Sequence, residues 1–155
     1  IKNKIIIENL IKRRVKKYII LRLPQIVGNS NNPHTITNFI YKKIIKNQKF
    51  KVWYNVKINL IDIDDLIKII KELVSKKINL SDTINIFNPY SIYVEDIVKI
   101  IANILKKTPK YVLINYKPKI KSNLKMINDK KFDSIITKHF KSKNYFKIIL
   151  KKYYK

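Results

Sequence analysis

Helical and extended segments alternate along these 155 residues, and the alternation predicts an α/β fold built on parallel strands. Short, mostly apolar runs such as Tyr18-Ile19-Ile20-Leu21-Arg22-Leu23-Pro24 have the composition of strands buried on both faces of a parallel sheet, and Pro24 ends the ladder. Between the runs lie stretches with apolar residues three and four apart, typified by Leu66, Ile69, Ile70 and Leu73. A length of 155 residues with 46% hydrophobic composition predicts one folded unit over residues 1–155 rather than a disordered tail.

Taken in order, Ile1 to about Lys17 reads as a helix through Ile7, Leu10, Ile11 and Val15. Lys12, Arg13, Arg14, Lys16 and Lys17 crowd its C-terminal end, where cations suit the helix dipole. The strand at Tyr18–Pro24 follows, and Gly28 to Pro33 is loop. A helix over Thr35 to about Asn47 lines up Ile36, Phe39, Ile40 and Ile44, and Phe50–Tyr54 reads as a strand. Asn59–Ile61 is briefly extended before Asp62, Asp64 and Asp65 open the helix carrying Leu66 and Leu73. Thr83–Phe87 is a strand, Asn88-Pro89 a turn, Val94 to about Lys107 a helix through Ile97, Ile100, Ile101 and Ile104, and Tyr111–Tyr116 a last strand. From 118 to 155 the pattern loosens, with helices expected near Asn128–His139 and Tyr145–Tyr154.

Composition excludes several chemistries. With no Cys and only His34 and His139, the usual zinc sites and the cysteine nucleophiles are out, and no metal site is predicted. A single glycine, Gly28, rules out both glycine-rich phosphate-binding motifs within this chain. No apolar run approaches the ~20 residues that span a bilayer, so a soluble, cytoplasmic protein is expected. The opening at Ile1 reads as neither signal peptide nor ordinary initiation and predicts a piece of a longer chain. The aspartate trio has the donor type for acid/base work or a hard cation, but helix capping and dipole complementation explain it better.

The formal net charge of +25 attracts polyanions. Yet Arg occurs only at positions 13, 14 and 22 among 35 basic residues, and Arg is the side chain that reads base edges bidentately. Codon bias accounts for the lysines, and nucleic acid is not expected as the principal partner. A basic Lys- and Tyr-rich polyanion-binding module remains the competing reading, recognisable by affinity that falls steeply with salt.

Three segments, in this order and spacing, resemble the C-terminal half of the extended short-chain dehydrogenase/reductase family, the NAD-dependent epimerases, dehydratases and reductases of nucleotide sugars. Ile19 to Gly28 is similar to that family's strand followed by Arg-hydrophobic-Pro-Asn-Val-Tyr-Gly. Asn59-Leu60-Ile61-Asp62-Ile63-Asp64-Asp65-Leu66 is similar to its Arg-Asp-Phe-Ile-His-Val-Asp-Asp-Leu. Thr83 to Pro89 is similar to its Tyr-Asn-Ile-Gly-Asn-Pro. The resemblance covers about Ile1 to Tyr116. It implies the last strands and helices of a Rossmann-like sheet plus a small, mostly helical substrate subdomain.

The same resemblance implies roles. The family's catalytic Tyr-x-x-x-Lys is followed by Glu four residues after the Lys, and Lys4 and Glu8 have that spacing. Lys4 would be the active-site lysine, bonding the nicotinamide ribose and lowering the pKa of a tyrosine placed immediately before Ile1. No tyrosine in the chain has Lys four residues later, so no internal replacement exists and the chain alone is expected to be inactive. Leu23 and Pro24 would line the nicotinamide of NAD or NADP, and Gln25 and Asn59 would meet the nucleotide-sugar substrate. The family's dimer helix makes Ile1–Lys17 a candidate homodimer interface. A noncatalytic paralogue kept as a partner-binding subunit is a further alternative. The sequence departs from the pattern at Ile58, where the family often has an Arg, at Phe87 in place of Gly, and at Tyr93 in place of a Ser or Thr helix cap.

Overall fold

A computed structural model of the chain describes residues 2–76, 81–115, 130–140, 142 and 144–155. The first helix, α1 (Lys2–Arg14), stops three residues short of Lys17. Its apolar spacing does not mark a buried face, since Ile7 is 55% and Leu10 45% exposed. The following strand β1 (Ile19–Arg22) pairs in parallel with β6 (Asp82–Asn85), placing Ile19 opposite Asp82 and Arg22 opposite Asn85. It is half-buried, not covered on both faces as its apolar run predicted.

Three short strands were not legible as strands. β2 (Gln25–Val27) starts immediately after Pro24 and runs parallel to β5 (Leu60–Asp62). β4 (Lys57–Ile58) and β7 (Ile92–Tyr93) form the one antiparallel pair among the described residues. β3 (Phe50–Tyr54) lies parallel to β8 (Tyr111–Asn115), with Phe50 opposite Tyr111. The expected last residue of that strand, Tyr116, is outside the described residues, as is the start of the helix expected near Asn128.

Parallel pairs need crossover connections, and the helices supply them. α2 (Ile36–Ile45) buries Ile40 and Ile44. α3 (Ile63–Ser75) buries Leu66, Ile69 and Leu73. α4 (Val94–Leu105) buries Ile97, Val98 and Ile101. These side chains join Leu60, Ile61, Ile84 and Ile86 in one core, and apolar burial of this kind contributes roughly 1.5–3 kcal/mol per large side chain. α4 starts at Tyr93 with no side-chain cap bond, as the missing Ser or Thr predicted. After the undescribed stretch come α5 (Asp133–Thr137), a 3₁₀ turn (Lys138–Phe140) and α6 (Tyr145–Tyr153).

The aspartates at the start of α3 behave as helix-start residues. Asp62 is the N-cap, and its Oδ1 accepts from the Asp64 amide at 3.1 Å. Lys152 of α6 fills the space between the carboxylates, bonding Asp62 Oδ2 at 2.8 Å and Asp64 Oδ2 at 2.5 Å. Among the described residues no three metal-ligating side chains come together.

Candidate functional site

The C-terminal end of β1 is where the chemistry-bearing residues gather. Arg22, the last residue of β1, holds Glu8 of α1 through three contacts, the shortest 2.6 Å from Nη2 to Oε2. Bonding to the guanidinium keeps the Glu8 carboxyl below its ordinary range. Near the other end of this helix, the Lys16 carbonyl accepts from Ser81 Oγ, beside the start of β6, so α1 runs antiparallel to β1. Lys4 lies one turn, about 5.4 Å, before Glu8 on the same helix face and is exposed, in the direction in which β1 continues to Leu23 and Pro24.

Gln25 opens β2 with its amide on the Asn59 carbonyl at 3.2 Å. Gly28 closes it because α3 comes too near for a side chain: a Cβ there would sit 2.9 Å from Ile63 Cγ2 and 3.2 Å from Ile63 Cβ. Ile63 is β-branched and stiff at χ1, so it cannot swing aside freely. Gly28→Ala is therefore expected to cost about 1–3 kcal/mol, read as a lower thermal midpoint. An unchanged midpoint would show that β2 and α3 separate at no cost.

Two cavities meet at Gln25. The first, about 600 Å³, is walled by Pro24, Gln25, Gly28, Asn38, Ile63 and Tyr154 among others. The second, about 520 Å³, is bordered by Gln25, His34, Phe39, Lys51, Trp53 and Ile58 among others. Gln25 thus borders both spaces, its Nε2 donating to the Ile26 carbonyl at 3.3 Å, with an aromatic and aliphatic wall in the second and neutral polar groups in the first.

Of the residues picked out by sequence, Pro24 and Gln25 line the cavities. Leu23 is half-exposed beside them at 37%. Asn59 neighbours Gln25 through its backbone but lines neither cavity, and its side chain is engaged: its Nδ2 donates to the Asn88 and Tyr90 carbonyls at 2.7 and 2.9 Å, and its Oδ1 accepts from the Asn88 amide at 3.0 Å. It is 5% exposed and straps the Asn88-Pro89 turn to the front of β5. Thr37, Asn38, Trp53 and Tyr154 border the site without any sequence signal for it, because only the tertiary fold brings them there. Burial pushes the Tyr154 phenol up, so it is a protonated hydrogen-bonding group throughout the ordinary pH range.

A cleft at the C-terminal ends of parallel strands is where ligands bind in open α/β sheets, and this chain has the fold of about half of an NAD-dependent epimerase/dehydratase chain. Three solved structures similar to it are RMD from Pseudomonas aeruginosa complexed with NADPH, dTDP-glucose 4,6-dehydratase from Bacillus anthracis in complex with NAD, and UDP-glucuronic acid 4-epimerase from Bacillus cereus in complex with NAD. The TM-scores are 0.72, 0.70 and 0.70 at 13%, 16% and 15% identity. The matches cover 96%, 96% and 95% of this chain but 52%, 47% and 45% of those chains, so it spans about half the length of each. No protein-family model matches the sequence, and no curated protein matches it.

Proposed function

We propose that this chain is the substrate-side, C-terminal half of an NAD(P)-dependent nucleotide-sugar epimerase, dehydratase or reductase. The observation that carries the reading is the pair of cavities meeting at Gln25, directly beyond the Arg22-Leu23-Pro24 segment. The amide can donate to and accept from sugar hydroxyls, and the apolar wall of Trp53, Phe39 and Ile36 suits a flat nucleobase. Ile58 stands where the resemblance has an arginine, so the charge that meets a diphosphate would come from Lys51, with His34 as a hydrogen-bonding neighbour.

The residues at the end of β1 suit the nicotinamide end of a dinucleotide. Half-exposed Leu23 and Pro24 offer an apolar surface for a ring, and Lys4 offers an ammonium one turn from the Glu8–Arg22 clamp. When bound, NAD(P) supplies the hydride acceptor. A chain with one glycine carries no glycine-rich turn for the pyrophosphate, so residues outside this sequence would hold that part. Lys4 would hold the ribose and lower the pKa of a tyrosine ahead of Ile1, Gln25 would orient the sugar, and α1 would be the surface through which two copies associate.

Trp53, the single tryptophan, supplies the readout. Titration with UDP-glucuronic acid or dTDP-glucose is expected to change its fluorescence saturably, and Lys51→Gln to weaken the response about tenfold, the loss of ~1.4 kcal/mol. A flat titration with a panel of sugar nucleotides would overturn the reading. The mass and N-terminal sequence of the native polypeptide test the other half: about a hundred or more further residues, with a glycine-rich βα turn and Tyr before Ile1, are expected.

A further inference from the structure

Part of the wall of the first cavity is Tyr154, the residue that follows α6. The loop from Gly28 to His34 carries several polar backbone groups and little apolar anchorage. Two of its carbonyls, Ser30 and Asn32, accept from Asn38 Nδ2 at 2.9 and 2.8 Å. Both amide hydrogens of Asn38 are then spent, so its orientation is fixed by what its oxygen meets. That partner is the Tyr154 hydroxyl, which donates to Asn38 Oδ1 at 2.6 Å. The hydroxyl has one hydrogen, so at its second contact, 2.8 Å from Thr37 Oγ1, it accepts and the threonine donates. Thr37, Asn38 and Tyr154 are 1%, 7% and 4% exposed, which leaves no water to replace a lost partner. The Tyr154 ring packs on Tyr41 of α2 with centroids 5.1 Å apart, so the hydroxyl is held from both sides.

We propose that Tyr154 is a positioning residue of the ligand site: through Asn38 it sets the placement of the Ser30–Asn32 backbone, and hence the width of the cavity between that loop and Gln25. The proposal rests on reading these cavities as the sugar-nucleotide site. Tyr154 also walls the first cavity, but the hydroxyl is spent on Asn38 and Thr37, so the exchange of the loop, not the affinity alone, reads the relay.

The test compares the native chain with Tyr154→Phe and Asn38→Ala by two measurements. Hydrogen exchange of residues 28–35, followed by mass spectrometry without ligand, reads the relay itself. Both variants are expected to exchange at least tenfold faster there, with α3 and α4 unchanged, and the double variant no faster than Asn38→Ala alone, since the two residues act in one chain. Titration with UDP-glucuronic acid, read at Trp53, is expected to show about tenfold weaker binding in each variant. A purely structural role for Tyr154 would speed exchange across α6 and α2 together and leave the affinity in place, which would overturn the proposal. So would wild-type exchange in the loop of either variant. If Tyr154→Phe fails to fold, Asn38→Ala severs the same relay while leaving the Tyr154 ring packed on Tyr41, and the loop exchange of that variant decides. Absence of a saturable response in the wild type removes the sugar-nucleotide reading instead, and the relay then stands or falls on the exchange measurement.

Discussion

Replacing Asp62 with alanine is expected to lower the thermal midpoint of the chain by roughly 5–15 °C, a loss of about 2–4 kcal/mol. The carboxylate serves two elements at once. Its Oδ1 caps α3 at the Asp64 amide and accepts from the Tyr153 hydroxyl at 2.7 Å, while its Oδ2 takes the Lys152 ammonium at 2.8 Å. The same residue's amide donates to the Tyr145 hydroxyl at 2.9 Å, so α6 is fastened to the start of α3 at both of its ends. A cap alone is worth about 1 kcal/mol and charge-assisted bonds ~1.5–3, and the residue is buried enough for both to count.

The pH dependence follows from the same contacts. Burial works against the Asp62 carboxylate, but the bonds from Lys152, Tyr153 and the Asp64 amide outweigh it and hold the pKa below the ordinary 3.8. A group depressed on folding gives its full stabilisation above the unfolded value and loses it as pH falls through the folded one. Unfolding midpoints should thus be level from neutrality down to about pH 4 and fall below that. Asp62→Asn keeps a capping oxygen and loses the charge, so its midpoint is expected between those of wild type and Asp62→Ala, with a shallower acid decline. Equal acid declines in all three proteins would show that Asp62 does not fasten α6.

Much of this arrangement was written locally. Phe50–Tyr54, which alternates buried and exposed residues as far as Trp53, was legible to the residue as β3, and the acidic start of α3 was legible as a cap. β2, β4 and β7 were not, because strands of two or three residues carry too little periodicity to stand out from the loops beside them. The spacing in α1 was legible as a helix but not as an exposed one: periodicity records that a face is apolar, not that anything described covers it. The site divides in the same way. Pro24 and Gln25 follow a recognisable strand and a resembling motif, whereas Tyr154 reaches Asn38 across 116 residues of sequence. Asn59 shows the limit of reading residue type: an amide suited to a sugar is equally suited to strapping a turn, and its hydrogens are used there.

On the reading proposed above, Lys4→Met in the native polypeptide is expected to slow hydride transfer by about 10²–10⁴, the usual worth of a positioned acid–base system. Lys4 is exposed, so this loss should come without a change in thermal midpoint. The comparison that gives the result meaning is Glu8→Gln. Glu8 and Arg22 are partly solvated, at 18% and 38% side-chain exposure, and a pair of this kind contributes at most about 1 kcal/mol to stability. Its effect on rate should be indirect and smaller, because loosening the clamp lets the turn carrying Lys4 drift from the end of β1 without removing the ammonium. An ordinary surface lysine predicts the opposite pattern, with Lys4→Met at full rate. An effect confined to Glu8→Gln would assign the rate to helix placement alone. A Lys4→Arg variant separates charge from reach: it keeps the positive field that favours a tyrosinate but replaces a compact ammonium with a broader fork, so partial recovery is expected.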